Sequence, residues 1–101
     1  MDRSTAISIL RDNAPELRQL GVRHLYLFGS TARDTAVAGL SDIDVVVEFV
    51  QGPRGFARLR RTENLRLRLC KLLGHPVDVV EEPHPAPRVR EAIKRDRVLA
   101  F

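Results

Sequence analysis

Apolar residues return along this chain at two periods, and the switches between them lay out a fold. Behind Ser4, a candidate N-cap, Ala6, Ile9, Leu10, Leu17 and Leu20 fall on one side of a 3.6-residue wheel, and Gly21 ends the pattern. Pro15 predicts either a kink in this helix or a second short helix with Asn13 as cap, and both outcomes keep the apolar face. From Val22 to Phe28 the period drops to two: His24 and Tyr26 alternate with Leu25 and Leu27, as in a strand that stops at Gly29. Ser30 to Asp34 predicts one helical turn, Thr35 to Ser41 a loop punctuated by Gly39, and Asp42 to Val50 a second strand. Past Asp44 that strand is apolar on both sides, as expected of a central strand covered on both faces.

Gln51-Gly52-Pro53 breaks the second strand, and Phe56 to Leu73 carries the longest helical pattern. Arg60, Arg61, Asn64, Arg68 and Lys71 share one face of its wheel, with Phe56, Leu59, Leu69, Cys70, Leu72 and Leu73 across the other side. Gly74 stops this helix, and Val77-Asp78-Val79-Val80 predicts a short third strand. Pro83, Pro85 and Pro87 make a stiff connector, and Pro87 opens a last helix through about Asp96. The predicted order is α-β-(turn)-β-α-β-α: an α/β (α+β) chain with a small mixed sheet of three or more strands flanked by helices. At 101 residues the expectation is one domain, 1–101, with room for one core and none for a second substrate-holding unit.

Composition narrows the function classes. No apolar run approaches the ~20 residues that cross a bilayer, and no signal-like h-region follows Met1-Asp2-Arg3, so a soluble cytoplasmic protein with no membrane role is expected. Cys70 is the single cysteine, which rules out an internal disulfide and a cysteine-cluster zinc site and leaves packing as its role. The net charge of +4 conceals a local excess: Arg54, Arg58, Arg60, Arg61, Arg66, Arg68 and Lys71 are opposed in their span only by Glu63. That face is either a solvated helix surface or an attractor of phosphates, RNA or an acidic protein; direct nucleic-acid binding is not expected but would use this helix.

The chemistry concentrates around Gly29-Ser30 and Asp42-Ile43-Asp44. Two carboxylates two positions apart leave a strand on the same face, and at ~4 Å with an effective dielectric near 20 they repel by roughly 4 kcal/mol. A divalent cation turns that repulsion into binding. Gly29 lets the backbone approach a ligand with no Cβ in the way, and Ser30 adds a hydroxyl beside it, a corner suited to phosphate oxygens; Ser30 alone also reads as a plain N-cap. Asp78, in a third apolar strand, adds a carboxylate in company that an unpaired Asp avoids; alone it also reads as a strand-end Asp that is exposed or caps a turn. Competing motifs fail: there is no G-x-x-x-x-G-K-[ST], and an EF-hand loop counted from Asp42 meets Val46 and Pro53 where oxygen ligands are required. His24, His75 and His84 lack metal-ligand spacing and read as surface or packing residues.

Leu25-Tyr26-Leu27-Phe28-Gly29-Ser30-Thr31-Ala32-Arg33, then Ser41-Asp42-Ile43-Asp44-Val45-Val46-Val47, then Pro76-Val77-Asp78-Val79-Val80, closely resembles the minimal nucleotidyltransferases of the DNA polymerase beta superfamily, including the MNT-type antitoxins paired with HEPN toxins. The resemblance covers nearly the whole chain, from the opening helix to Ile93-Lys94-Arg95-Asp96. It implies a nucleotidyltransferase fold, with Gly29 and Ser30 on the triphosphate of ATP, Asp42 and Asp44 on two Mg2+ ions, and Asp78 on the catalytic metal and the acceptor hydroxyl. Arg33 matches an arginine common in the family, where it would contact phosphate; otherwise it is a surface charge at a helix end. Asp34 stands where many relatives have Gly, and Leu40 where many have a polar residue; if position 34 requires φ > 0, Asp bears it at some cost.

The resemblance implies an Mg-dependent transfer of a nucleoside monophosphate, AMP from ATP, to a hydroxyl, the acceptor being a tyrosine of a HEPN toxin and this chain its antitoxin. A catalytically silent antitoxin that neutralises its partner by contact, through Arg60, Arg61, Arg68 and Lys71, is the alternative from the binding class. A sugar-nucleotide transferase using the D-x-D pair for manganese is a third reading, opposed by the small size and the preceding Gly-Ser.

Overall fold

The computed structural model describes residues 1–32 and 42–101. Among them the order is α1 (Arg3–Asp12), α2 (Ala14–Gln19), β1 (Val22–Phe28), the turn α3 (Gly29–Ala32), β2 (Ile43–Phe49), α4 (Phe56–Leu73), β3 (Val77–Glu81), α5 (Pro87–Asp96) and β4 (Val98–Leu99). The strands form a mixed sheet in the order β3-β2-β1-β4. β1 is antiparallel to β2 and β4, and β2 is parallel to β3.

The two periods become two faces. Leu25 and Leu27 of β1, Val45 and Val47 of β2 and Val77 of β3 turn one way, into a core closed by Ala6 and Leu10 of α1, Leu17 of α2, and Leu65, Leu69 and Leu73 of α4. Burying a leucine such as Leu69, with no exposed surface, contributes roughly 1.5–3 kcal/mol. The opposite face carries Tyr26, Asp44 and Val46. Arg97, just past α5, lies 4.2 Å over the Tyr26 ring and donates two 2.7 Å hydrogen bonds to Glu82, so the chain end covers this side as well. Val45, Val46 and Val47 are all fully buried, as a doubly covered central strand requires.

Pro15 opens α2 instead of kinking α1, and Asn13 sits at its cap position; its side chain turns back to donate to the Ile9 carbonyl at 2.8 Å. Gly74 ends α4 in the left-handed region, φ 67°, with its N–H on the Cys70 carbonyl at 2.8 Å. Two expectations, the cap of α1 and the packing of Phe56 and Leu59, need correction, and two others gain detail. The cap of α1 is Asp2, whose carboxylate accepts from the Thr5 N–H at 2.8 Å, and Ser4 falls inside the helix. A fourth strand, β4, follows the last helix, held on β1 by Ala100 N–H donating to the Leu25 carbonyl at 2.8 Å; two residues are too few to show a period. On α4, Phe56 and Leu59 are 83% and 65% exposed, because the helix rests on the sheet through Leu65, Leu69 and Leu73, closer to its C-terminus. The basic face is partly consumed within the molecule: Arg61 stacks 4.0 Å over Phe49, and Arg68 pairs with Glu16 at 2.6 Å.

Candidate active site

Three chain segments meet at one end of the sheet: the end of β1, which runs into α3, and the starts of β2 and β3. Asp44 is the register partner of Phe28 on one side and of Asp78 on the other. Register partners point to the same face, so the Asp44 and Asp78 carboxylates leave the sheet together, away from the α1–α2–α4 core. Asp42 lies two positions before Asp44, just outside β2. Asp42 and Asp78 are exposed and Asp44 half-buried. The strands thus bring Asp44 and Asp78 to one face at this end of the sheet, with Asp42 just before the start of β2.

Their side chains are not drawn into a closed ligand set. Among the described residues, no group of three or more His, Cys, Asp or Glu is placed to hold a metal ion. Carboxylates repel one another, and attraction to a cation is the interaction that offsets this.

Gly29 turns the chain from β1 into α3 with φ 65°, a conformation that costs any other L-residue energy. A Cβ at this position would run into the Asp44 carboxylate. The glycine therefore lets the turn close over Asp44, a juxtaposition that sequence spacing alone does not show. α1 fastens the far end of the turn, since Arg3 donates to the Ala32 carbonyl at 3.1 Å. Nothing in the sequence signals that contact across 29 residues. Ser30 lies within α3; Arg33, Asp34 and Leu40 lie outside the described residues.

The sequence reading missed one more group. Arg66 of α4 is gripped by Glu63 through hydrogen bonds of 2.8 and 2.6 Å. The bonded Glu63 carboxylate holds the guanidinium's proton affinity above its ordinary value, with a smaller contribution from Asp78. Arg66 thus stands within electrostatic reach of the predicted acceptor-side carboxylate. The i,i+3 spacing of Glu63 and Arg66 was the available signal for the pair, while its nearness to Asp78 depends on α4 packing beside β3.

The donor chemistry is uniform. Asp42, Asp44 and Asp78 offer only hard carboxylate oxygens, which suits magnesium and not a soft metal, and the missing Cβ of Gly29 is what makes room for the Asp44 carboxylate itself. In donor chemistry these residues fit a hard divalent cation such as magnesium. Among the described residues no helix is long and apolar enough to cross a membrane.

A family model described as a nucleotidyltransferase domain matches residues 7–100. A solved minimal nucleotidyltransferase is similar over 97% of this chain and 95% of its own, at 35% identity and a TM-score of 0.76. A toxin–antitoxin crystallised with AMP-PNP covers all of this chain with 73% of its own, at 24% identity and a TM-score of 0.66. A complex of tri-AMPylated Shewanella oneidensis HEPN toxin with MNT antitoxin matches 98% of this chain over 68% of its own, at 21% identity and a TM-score of 0.58; at that identity, as for the AMP-PNP structure, the likeness is one of fold. A comparison with curated proteins found no match. By its family model and its 35% identity to a minimal relative, the chain belongs to the nucleotidyltransferase domain family, in its minimal form.

Proposed function

We propose that this chain, a single domain spanning 1–101, is a magnesium-dependent adenylyltransferase that moves AMP from ATP onto a protein hydroxyl, a tyrosine of a HEPN toxin, and thereby acts as a cytoplasmic antitoxin. The observation that carries the reading is the register of β2 against β3, which sets Asp44 beside Asp78 with Gly29 closed over Asp44. Asp42 and Asp44 would hold two Mg2+ ions and Asp78 would join the one nearer the acceptor; ions so placed offset charge on the attacking and leaving oxygens of an in-line displacement. The Gly29-Ser30 corner, with Arg33, would receive the triphosphate.

In the transfer, the acceptor hydroxyl oxygen forms a bond to the α-phosphorus, the bond from that phosphorus to the bridging oxygen of the β-phosphate breaks, and pyrophosphate leaves. The hydroxyl proton passes to the Asp78 carboxylate, which its exposed position on the outer strand leaves accessible to an incoming acceptor. Two solved neighbours support the nucleotide and the partner class: one is a toxin–antitoxin with AMP-PNP, the other a tri-AMPylated HEPN toxin with its MNT antitoxin.

The test is incubation with a HEPN-domain partner, magnesium and ATP labelled at the α-phosphate. Covalent label on the partner is the expected result. No label, with an active control enzyme, overturns AMP transfer, and label arriving from the γ-phosphate would make the chain a kinase.

A further inference from the structure

β3 is the outer strand of the sheet among the described residues. Its ladder with β2 determines which backbone groups stay open. The Pro76 carbonyl accepts from Ile43 N–H at 3.0 Å, and Glu82 N–H donates to the Val47 carbonyl at 2.9 Å. Even-numbered residues therefore turn N–H and C=O toward β2, and Val77, Val79 and Glu81 turn theirs outward. An open row of this kind is a template for one more strand.

Beside that edge lies a groove of about 800 Å3, walled by the first turns of α4 and by β3. Phe56, Leu59 and Val79 make its apolar surface, and Arg58 joins the two walls by pairing with Glu81 at 3.2 Å. Phe56 and Leu59 are the two most exposed large apolar side chains among the described residues. Their position next to backbone groups that no described residue pairs distinguishes them from scattered surface apolars.

We infer that this edge and groove dock an extended, non-acidic segment of the acceptor protein as a fifth strand, with a large apolar side chain in the groove and the hydroxyl-bearing residue adjacent to it in sequence at Asp78. The inference rests on the adenylyl-transfer reading for the identity of the hydroxyl residue. The period of two supplies the geometry: on an added strand, a side chain beside Val79 falls on the α4 face and its chain neighbour, beside Asp78, on the carboxylate face. A single strand thus fills the groove and reaches the site. Charge disfavours a second copy of this chain, because a two-fold, antiparallel pairing of β3 with itself about the outward-facing Val79 would set the two Asp78 carboxylates diagonally across the new ladder on one face.

The probe is a fluorescein-labelled peptide, Lys-Thr-Val-Thr-Tyr-Leu-Thr-Val-Lys, titrated into the full chain without ATP up to about 1 mM. Binding is expected, with backbone amide exchange at Val77, Val79 and Glu81 slowed about tenfold or more. The double substitution Phe56→Ser with Leu59→Ser, on exposed side chains, is expected to weaken binding about tenfold while the circular dichroism melt is kept. Absence of binding, or binding with those three amides unprotected, overturns the docking. So does a concentration-dependent dimer of the parent that the double substitution abolishes, which would give the face to a second copy. Because no nucleotide is used, a chain that docks the peptide yet transfers no label refutes the adenylyl reading alone, and label transfer without docking refutes this inference alone.

Discussion

Asp44 stands directly opposite Asp78 across the parallel β2–β3 ladder, with Phe28 opposite it on the other side. A slip of one residue in β3 would set Val77 or Val79 against Asp44 and send the Asp78 side chain to the α4 face. The apolar residues that lock the register, Val77 at 2% exposure and Val45 at 0%, are therefore also what aligns the two carboxylates. Core packing and site geometry are here one constraint.

Replacing either carboxylate by its amide, Asp44→Asn or Asp78→Asn, removes charge at the surface end of the sheet and leaves the core untouched. AMP transfer is expected to fall by about 100-fold or more, with the thermal midpoint within a few degrees of the parent. In cells, Asp42→Asn with Asp44→Asn tests contact-only neutralisation. A folded double variant that protects as well as the parent would assign the antitoxic effect to binding, and loss of protection is the expected outcome.

Gly29→Ala combines a left-handed backbone with a Cβ aimed at the Asp44 carboxylate. A loss of about 1–3 kcal/mol is expected in urea unfolding, together with weakened magnesium–ATP binding. Gly74→Ala provides the contrast. It also has positive φ, but open space surrounds its would-be Cβ, so about 1 kcal/mol is expected with nucleotide binding unchanged.

Two carboxyl groups are held below their ordinary range by hydrogen bonds: Asp2 by the Thr5 N–H and side chain, and Glu63 by Arg66. A group depressed in the folded state stabilises above its unfolded pKa, and that contribution disappears as pH falls through the lower folded value. Both groups are exposed, so the effect is small. Thermal melts from pH 7 down to acid are expected to show a shallower decline below the ordinary carboxylate range for Glu63→Gln with Asp2→Asn than for the parent.

Arg97 joins three elements: its guanidinium lies over Tyr26 of β1 and holds both Glu82 oxygens beyond β3. The pair is largely shielded, with side-chain exposures of 29% and 15%. Arg97→Ala is expected to cost about 1–3 kcal/mol, and a double-mutant cycle with Glu82→Gln should show a coupling of about 1 kcal/mol.

Most of the fold was legible because its signals are local. Gly21, Gly29 and Gly74 punctuate elements whose periods differ, and Pro15 and Pro87 open α2 and α5 as helix-start prolines do. The aspartates were legible as unusual residues in apolar strands. Their mutual alignment was not, since register depends on pairing between residues far apart in sequence. β4 has no signal of its own because its strand character comes from β1, and Phe56 and Leu59 read as packed because a helical wheel ignores where along its length a helix leaves the core. The turn predicted over Ser30 to Asp34 is seen as Gly29–Ala32, and the role expected of Arg33 falls outside the described residues.

Calorimetric titration of ATP into the parent and into Asp44→Asn, each with and without magnesium, tests the central claim most directly. The account predicts association that requires magnesium and weakens about tenfold or more in the variant. ATP binding equally well without magnesium, or unchanged by Asp44→Asn, would contradict it.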